Sequence, residues 1–318
     1  MANELDFERP LLELRAKIAE LQNFMKQSGV DLTGEVAKLQ ERLDELSKSL
    51  YQELTPWQRV QLARQPGRPT TLEYIEGICE EFVELHGDRT FRDDPAIVGG
   101  IGLVGGRPVT IIGHQKGRDT KENIYRNFGM AHPDGYRKAL RLMKQAEKFG
   151  RPVILFIDTA GAYPGMSAEE RGQSEAIARN LREMAGLRTP TISFITGEGG
   201  SGGALGLGVT DRIFILQYAW YSVIAPESAA AILWKDSTQG PRAAETMKIS
   251  AQDLYALGIA DDVIEEPLGG AQKDPKRMIE IVRRKAVETL DELAQLPIAD
   301  LLSARYDKYR DMGTFTER

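Results

Sequence analysis

The chain has 318 residues, 42% of them hydrophobic and 28% charged, an ordinary globular composition with ample material for a core. Its formal net charge of −6 argues against a surface built to bind nucleic acid or an anionic membrane. The single cysteine, Cys79, excludes an intrachain disulfide and a cysteine zinc cluster. Met1 to Pro10 carries Glu4, Asp6, Glu8 and Arg9, so no apolar leader segment is visible. No apolar run reaches the ~18 residues of a membrane span, and the expected location is cytoplasmic, with no membrane partner.

Residues 1–55 read as two helices. Leu11, Leu14, Ile18 and Leu21 recur at helical spacing, as do Leu39, Leu43, Leu46 and Leu50, and Gln27-Ser28-Gly29-Val30-Asp31 breaks the two stripes into an antiparallel hairpin. Pro66, Gly67 and Pro69 mark 64–71 as a linker. Strands are expected over Ala96–Val104 and Arg107–Gly113, joined by a Gly105-Gly106 turn. A basic amphipathic helix spans Asp134–Phe149 and stops at Gly150. A strand over Pro152–Ile157 leads into a loop, Asp158–Met166, and a helix, Ala168–Ala185. A second buried strand, Pro190–Ile195, runs into Gly197-Glu198-Gly199-Gly200-Ser201-Gly202-Gly203-Ala204-Leu205-Gly206-Leu207-Gly208 and a short helix. Arg212–Leu216 reads as a strand, and Ala229–Trp234 and Ala243–Met247 as helices. Ser250–Ile264 reads as a helix, a glycine stop and a strand, and Pro275–Leu296 as a long terminal helix. Strands and helices alternate in β-β-α units, which makes the class α/β.

The glycine run is the most informative segment. Seven of its twelve residues are glycine, which costs backbone entropy on folding, so something must approach the main chain closely. Gly197, Gly199 and Gly202 fit a dinucleotide fingerprint, but the acidic residue that pattern wants some 20 positions on is missing, since Asp211 comes too early. Gly199, Ser201 and Gly203 fit a nucleophile elbow, but His86, His114 and His132 all precede the serine. A turn whose glycines serve packing alone stays open. The reading that fits best is a strand–loop–helix whose N–H groups hold an oxyanion.

Asp158-Thr159-Ala160-Gly161-Ala162-Tyr163-Pro164-Gly165 is a second small-residue loop after a buried strand. Parallel strands would put both loops at one sheet edge, where α/β ligand sites lie. Asp158 is either a general base or a carboxylate capping loop N–H groups. A third candidate is Gly113-His114-Gln115-Lys116-Gly117-Arg118, a basic loop closing a strand. Residues 116–151 hold ten Lys/Arg against four Asp/Glu, a patch suited either to anionic groups or to a solvated helix face. Lys116 and Arg118, between glycines, are expected to face a ligand or partner. No His-x-x-x-His, cysteine pair or Gly-Lys-Ser/Thr motif marks a metal or P-loop site.

These segments together resemble the carboxyltransferase alpha subunits of bacterial and plastid acetyl-coenzyme A carboxylase. The resemblance is carried by Ile112-Gly113-His114-Gln115-Lys116-Gly117-Arg118, Gly135-Tyr136-Arg137-Lys138-Ala139-Leu140-Arg141-Leu142-Met143, Gly161-Ala162-Tyr163-Pro164-Gly165, Glu169-Glu170-Arg171-Gly172-Gln173-Ser174-Glu175-Ala176, Gly197-Glu198-Gly199-Gly200-Ser201-Gly202-Gly203-Ala204-Leu205 and Glu266-Pro267-Leu268-Gly269-Gly270-Ala271, and it covers essentially the whole chain. The sequence departs from the family pattern at Ala160, usually proline, and Ala225, usually serine.

The resemblance implies a crotonase-like (ClpP/crotonase) spiral of β-β-α units, with an N-terminal helical hairpin in 1–63, a carboxyltransferase domain over 72–296 and a C-terminal tail over 297–318. It implies transfer of a carboxyl group from carboxybiotin to acetyl-coenzyme A, giving malonyl-coenzyme A for fatty acid synthesis. No cofactor is bound covalently. Carboxybiotin arrives on the biotin carboxyl carrier protein, biotin carboxylase belongs to the same ATP-dependent complex, and zinc is expected only on a beta subunit that completes an α2β2 tetramer. The catalytic residues are expected to be Gly202, Gly203 and Ala204, as a backbone oxyanion site, with Gly161 and Ala162. Lys116, Arg118, Gly199 and Gly200 are expected to border the substrate. The alternatives are a self-sufficient crotonase-type hydratase or thioester hydrolase, and a non-catalytic scaffold.

Overall fold

The computed structural model describes residues 5–313, so the expected boundaries at residues 1 and 318 lie outside them. Helices α1 (Arg9–Ser28) and α2 (Thr33–Gln52) form the expected hairpin, broken at Gly29, which takes φ +71° and returns its N–H to the Met25 carbonyl. Leu11, Ile18 and Leu43 are buried between them, and Leu62 and Tyr218 join the same cluster, so the hairpin leans on the body of the protein. Two short helices follow, each opened by a capping box: α3 (Pro56–Ala63) by Thr55 and Gln58, α4 (Thr71–Ile78) by Thr70 and Glu73. The linker between them is pinned: Arg68 is buried and forms a two-pronged pair with Glu266, at 2.7 and 2.9 Å.

Strand β1 (Glu81–Glu84) pairs antiparallel with β2 (Ile97–Val104), which turns at Gly105-Gly106 into β3 (Arg107–His114). Both glycines take positive φ, +55° and +73°, as a two-residue hairpin turn demands. Helices α5 (Thr120–Tyr125) and α6 (Pro133–Lys148) lead to β4 (Val153–Thr159), parallel to β3. The helix expected over 168–185 is two, α7 (Met166–Glu169) and α8 (Gln173–Ala185), because Gly172 at φ +80° redirects the chain. Strand β5 (Thr191–Gly200) runs parallel to β4 and continues to the middle of the glycine run, further than its apolar stretch suggests. Helix α9 (Ser201–Leu205) begins at once.

Strands β6 (Arg212–Leu216) and β7 (Trp220–Ser222) both pair with β5, at its two ends. Helices α10 (Pro226–Trp234), α11 (Gly240–Met247) and α12 (Ala251–Ala256) precede β8 (Asp262–Ile264). Helix α13 (Pro275–Leu293) ends three residues early, and the segment expected as a tail holds α14 (Ile298–Asp311). The sheet order is β1-β2-β3-β4-β5-β6-β8, with β7 off that path. Both faces of β4 and β5 are buried in one core, so these strands read as continuous apolar runs without alternation. The parallel register brings the C-terminal ends of β3, β4 and β5 to one edge.

Candidate functional site

Three loops meet at that edge. The paired ladder joins Thr159 to Gly199, so the loop after β4 lies beside the last residues of β5. The close approach explains the glycines. A Cβ on Gly203 would stand 2.5 Å from the Ala162 nitrogen and closer still to the Gly161 carbonyl carbon, distances real side chains essentially never show. One on Gly197 would meet the Asp158 carboxylate at 2.6 Å. Gly202 is different, since its nearest neighbour is the Ile177 side chain at 3.6 Å, an ordinary contact. The backbone of the α9 start therefore lies directly on the Gly161-Ala162 peptide.

Helix α9 has no side-chain cap, and the first turn of any helix lacks i−4 carbonyl partners for its N–H groups. Gly202, Gly203 and Ala204 lie in that turn. Gly161, expected beside them as a donor, spends its N–H on Thr159 Oγ1 at 3.1 Å, while the Thr159 hydroxyl donates to the Gly161 carbonyl at 2.7 Å. Its part is to lock the loop, because a hydroxyl two residues back satisfies both of its backbone groups. Ser201 takes φ +55°, the left-handed region costly for a residue with a Cβ. No side chain among the described residues hydrogen-bonds its hydroxyl, so the elbow-like turn has no base to activate it. An apolar hollow of about 230 Å³ lies beside Ser201, Gly202 and Leu205, walled by Tyr221, Val223 and Leu254.

Of the four residues expected to border substrate, two are enclosed by backbone and two line a cleft with their charges paired. Gly199 and Gly200 are buried within β5, pressed against the Trp220 and Ala160 carbonyls between β7 and the β4 loop. They are small because two strands close on them. Lys116 does not offer a free charge, since its Nζ lies 2.7 Å from Asp158 and 2.9 Å from Glu198. Arg118 pairs with Glu73 and donates to the Arg68 carbonyl at 2.9 Å. Both still line a cleft of about 760 Å³, where their charges are largely met by carboxylates. The wider basic patch turns inward for the same reason. Arg137 bonds Asp88 and Asp134, buried Lys138 bonds Asp93, and Lys144 bonds Glu183. Sequence distance hid most of these acids: Asp88 and Asp93 precede their partners by 49 and 45 residues, and Glu183 lies well beyond Lys144.

Asp158 accepts both the Lys116 ammonium and the Glu198 N–H, 2.9 Å away, on one oxygen. It braces β4 against β5. Glu198 is the residue the sequence reading missed. It bonds Lys116 and, at 2.7 Å, Arg64, and Arg64 also pairs with Glu227. Burial opposes its ionisation, but Lys116 and Arg64 outweigh burial and hold its carboxyl down at about 2. A charged residue inside a run of glycines was the available signal.

His114 is 1% exposed, and neither ring nitrogen has a partner among the described residues. Burial, then the nearby Lys116 charge, pushes its imidazole down to about 3 from an ordinary 6.5. The unfolded chain takes up that proton below about pH 6.5 and the native one does not until about 3, so stability falls as pH falls through this window. Glu198 adds in the same direction below its unfolded value of 4.5. Urea midpoints measured from pH 7 to 4 are expected to decline steadily, and His114→Asn to flatten the profile above pH 5. A wild-type profile already flat there would show His114 to be solvated.

A family model described as acetyl co-enzyme A carboxylase carboxyltransferase-like matches residues 4–313. The acetyl-coenzyme A carboxylase carboxyl transferase subunit alpha of Shouchella clausii is 58% identical over 317 residues, covering 100% of this chain and 98% of that protein. The subunit of the same name from a Geobacillus species is 59% identical over 315 residues, covering 99% and 97%. Among solved structures, transcarboxylase 12S superimposes with TM-score 0.59 at 17% identity, and the Pseudomonas aeruginosa geranyl-CoA carboxylase beta subunit with TM-score 0.56 at 15%. They cover 75% and 77% of this chain, which spans 45% and 46% of theirs. The likeness bears out the crotonase-like α/β class.

Proposed function

Because this chain belongs to the acetyl-coenzyme A carboxylase carboxyltransferase family, as an alpha subunit, we propose that its α9 start and its Gly161-Ala162 loop form the half-site for carboxybiotin. The chain is part of a biotin-dependent carboxyltransferase that makes malonyl-coenzyme A from acetyl-coenzyme A, and the reading as a self-sufficient hydratase or thioester hydrolase is set aside. The observation that carries the half-site is the seating of Gly203 on the Gly161-Ala162 peptide, with an uncapped helix start beside an apolar hollow.

Carboxybiotin, when bound, supplies the carboxyl group and then the base for the acetyl methyl. The protein's share is electrostatic. The N–H groups of Gly203 and Ala204, with Gly202, are the donors for negative charge developing on the ureido oxygen. Donors held in a rigid strand–helix junction need no reorganisation as that charge grows, and losing one typically costs about 10²–10³ in rate. Ala162 and Gly161 fix the facing wall. The hollow beside Gly202 has apolar walls, and a substrate that fills it would displace water from the site and strengthen those hydrogen bonds. No side-chain base is required of Asp158, tied between Lys116 and the β5 backbone, nor of His114, held neutral. Glu198, Lys116 and Asp158 act as positioning residues. In this reading residues 72–296 carry the chemistry, and the hairpin within 1–63 and α14 brace it.

Acetyl-coenzyme A and zinc belong to a beta subunit of an α2β2 assembly, which meets the carrier protein and biotin carboxylase in the cytoplasm and feeds fatty acid synthesis. Val223, Ile232 and Leu233 support a partner near the site, being 81%, 72% and 65% exposed in a stretch that includes α10. No helix among the described residues is long and apolar enough to cross a membrane. The test is malonyl-coenzyme A decarboxylation with free biotin. The purified chain alone is expected to be inactive and to gain activity with its beta partner. Turnover of an acyl thioester by the single chain without biotin would overturn the reading.

A further inference from the structure

The opposite edge of the sheet holds a second concavity. The parallel register aligns Thr110 with Val153 and Val153 with Thr191, so β4 and β5 begin together and β3 begins three residues before them at the same edge. Each beginning carries an arginine and a proline: Arg107-Pro108, Arg151-Pro152 and Arg188-Thr189-Pro190. Neighbouring strands lie about 4.8 Å apart, which brings the three arginines in at one edge with backbones within ~10 Å. They line a groove of about 610 Å³, closed on one side by the end of α13 and the start of α14. β5 is ten residues long, about 33 Å at the usual strand rise, so this groove is far from the α9 loop.

Its charges are largely unmet. Arg107 is held by Asp291 and the Leu290 carbonyl, both at 2.7 Å. Among the described residues Arg151 has only Thr110 Oγ1, at 3.2 Å from its Nε, and its buried Nη2 has no partner. It has no carboxylate partner among the described residues. Among the described residues Arg188 has no ion pair either; Glu147 takes its backbone N–H at 2.8 Å. Lys148, equally unpaired, sits at the rim, 5.6 Å from the Phe149 ring, and Arg151 lies 5.2 Å from the same ring. Phe149 is 61% exposed. The α14 start, at Ile298, has no side-chain cap. In a chain of net charge −6, three cations stand around one cavity without acids among the described residues: Arg151 half-buried, Arg188 and Lys148 exposed and free to turn onto an anion. Guanidinium forks match phosphate oxygens two at a time.

We propose that this groove, lined by Arg107, Arg151 and Arg188, is a binding site for a diphosphate-bearing small molecule. Arg151, Arg188 and Lys148, unpaired among the described residues, match the charge of a diphosphate, and the volume lies within the range of small-molecule sites. The site does not share the chemistry of the α9 loop and stands whether or not the carboxybiotin reading holds.

Calorimetric titration of the full chain with inorganic pyrophosphate and with ADP, at about 150 mM salt to screen loose surface attraction, tests it. Saturable binding at one site is expected, weakened at least tenfold by Arg151→Gln and by Arg188→Gln. Melting curves without ligand should be unchanged in both variants, since neither side chain holds an ion pair. Tighter binding of ADP, lost in Phe149→Ala, would identify a nucleotide as the source; equal binding would identify the diphosphate alone. Absence of saturable binding by both probes, or binding that survives both arginine substitutions, overturns the proposal.

Discussion

Gly203→Ala is expected to lower carboxyl transfer by about 10²–10³, the usual loss when an oxyanion donor is displaced, while Gly202→Ala keeps near-normal turnover. Both substitutions add one methyl group to the same helical turn and both keep the backbone N–H. They differ in what the methyl meets. At Gly203 it would lie 2.5 Å from the Ala162 nitrogen, against backbone that cannot rotate aside. At Gly202 it would lie 3.6 Å from the end of the Ile177 side chain. The β4 loop must therefore move away from α9 in the first variant only. Initial rates of malonyl-coenzyme A decarboxylation by the assembled enzyme check this, beside circular dichroism and size-exclusion profiles. Equal rates for the two well-assembled variants would mean that the seating of Gly203 has no bearing on catalysis.

Arg305→Met is expected to cost about 3–5 kcal/mol of stability, the typical result of stripping one partner from a buried ion pair. Arg305 is 2% exposed on α14. Its guanidinium grips both oxygens of Asp211 at 2.8 Å and donates to the Met184, Leu187 and Thr189 carbonyls. Asp211 in turn accepts from the Thr191 N–H and hydroxyl. Methionine leaves the buried Asp211 carboxylate without its counter-charge and takes one donor from each of the three carbonyls, and adding Asp211→Asn should recover part of the loss by removing the stranded charge. Urea denaturation of both variants measures it. A loss below about 1 kcal/mol for Arg305→Met, the range of an exposed pair, would mean that α14 is only loosely attached.

That cluster also shows where sequence reading reached its limit. Asp211 looked like a misplaced dinucleotide acid, and its position one residue before β6 gave no hint of Arg305, 94 residues away. Segment 297–318 was expected as a tail, and Arg305, buried where it secures α14, reads as a surface residue from sequence. Lys116 and Arg118 were expected to face a ligand or partner, and the helix over 134–149 to meet anionic groups or solvent, because the acids that pair with them lie elsewhere in the chain. Counting charges along the chain cannot register Asp88, Asp93 and Glu198 folding back onto them.

What the sequence determined by itself was local or periodic. The hairpin follows from leucines at helical spacing interrupted by Gly29, the β2–β3 turn from paired glycines that alone tolerate positive φ at low cost, and the β4 and β5 cores from unbroken apolar runs. Long blocks of matching residues fixed the family. The tertiary structure alone decided which glycines matter and why: Gly199 and Gly200 are strand residues closed in by β7 and the Ala160 carbonyl, Gly203 is seated on a peptide more than 40 residues upstream, and Gly202 is free. It also decided that Gly161 spends its N–H within its own loop. A glycine's role is set by the atoms that stand where its side chain would be, and those atoms come from strands whose pairing is non-local. Composition can reveal that the main chain is approached closely, but only the parallel register of β4 and β5 specifies by what.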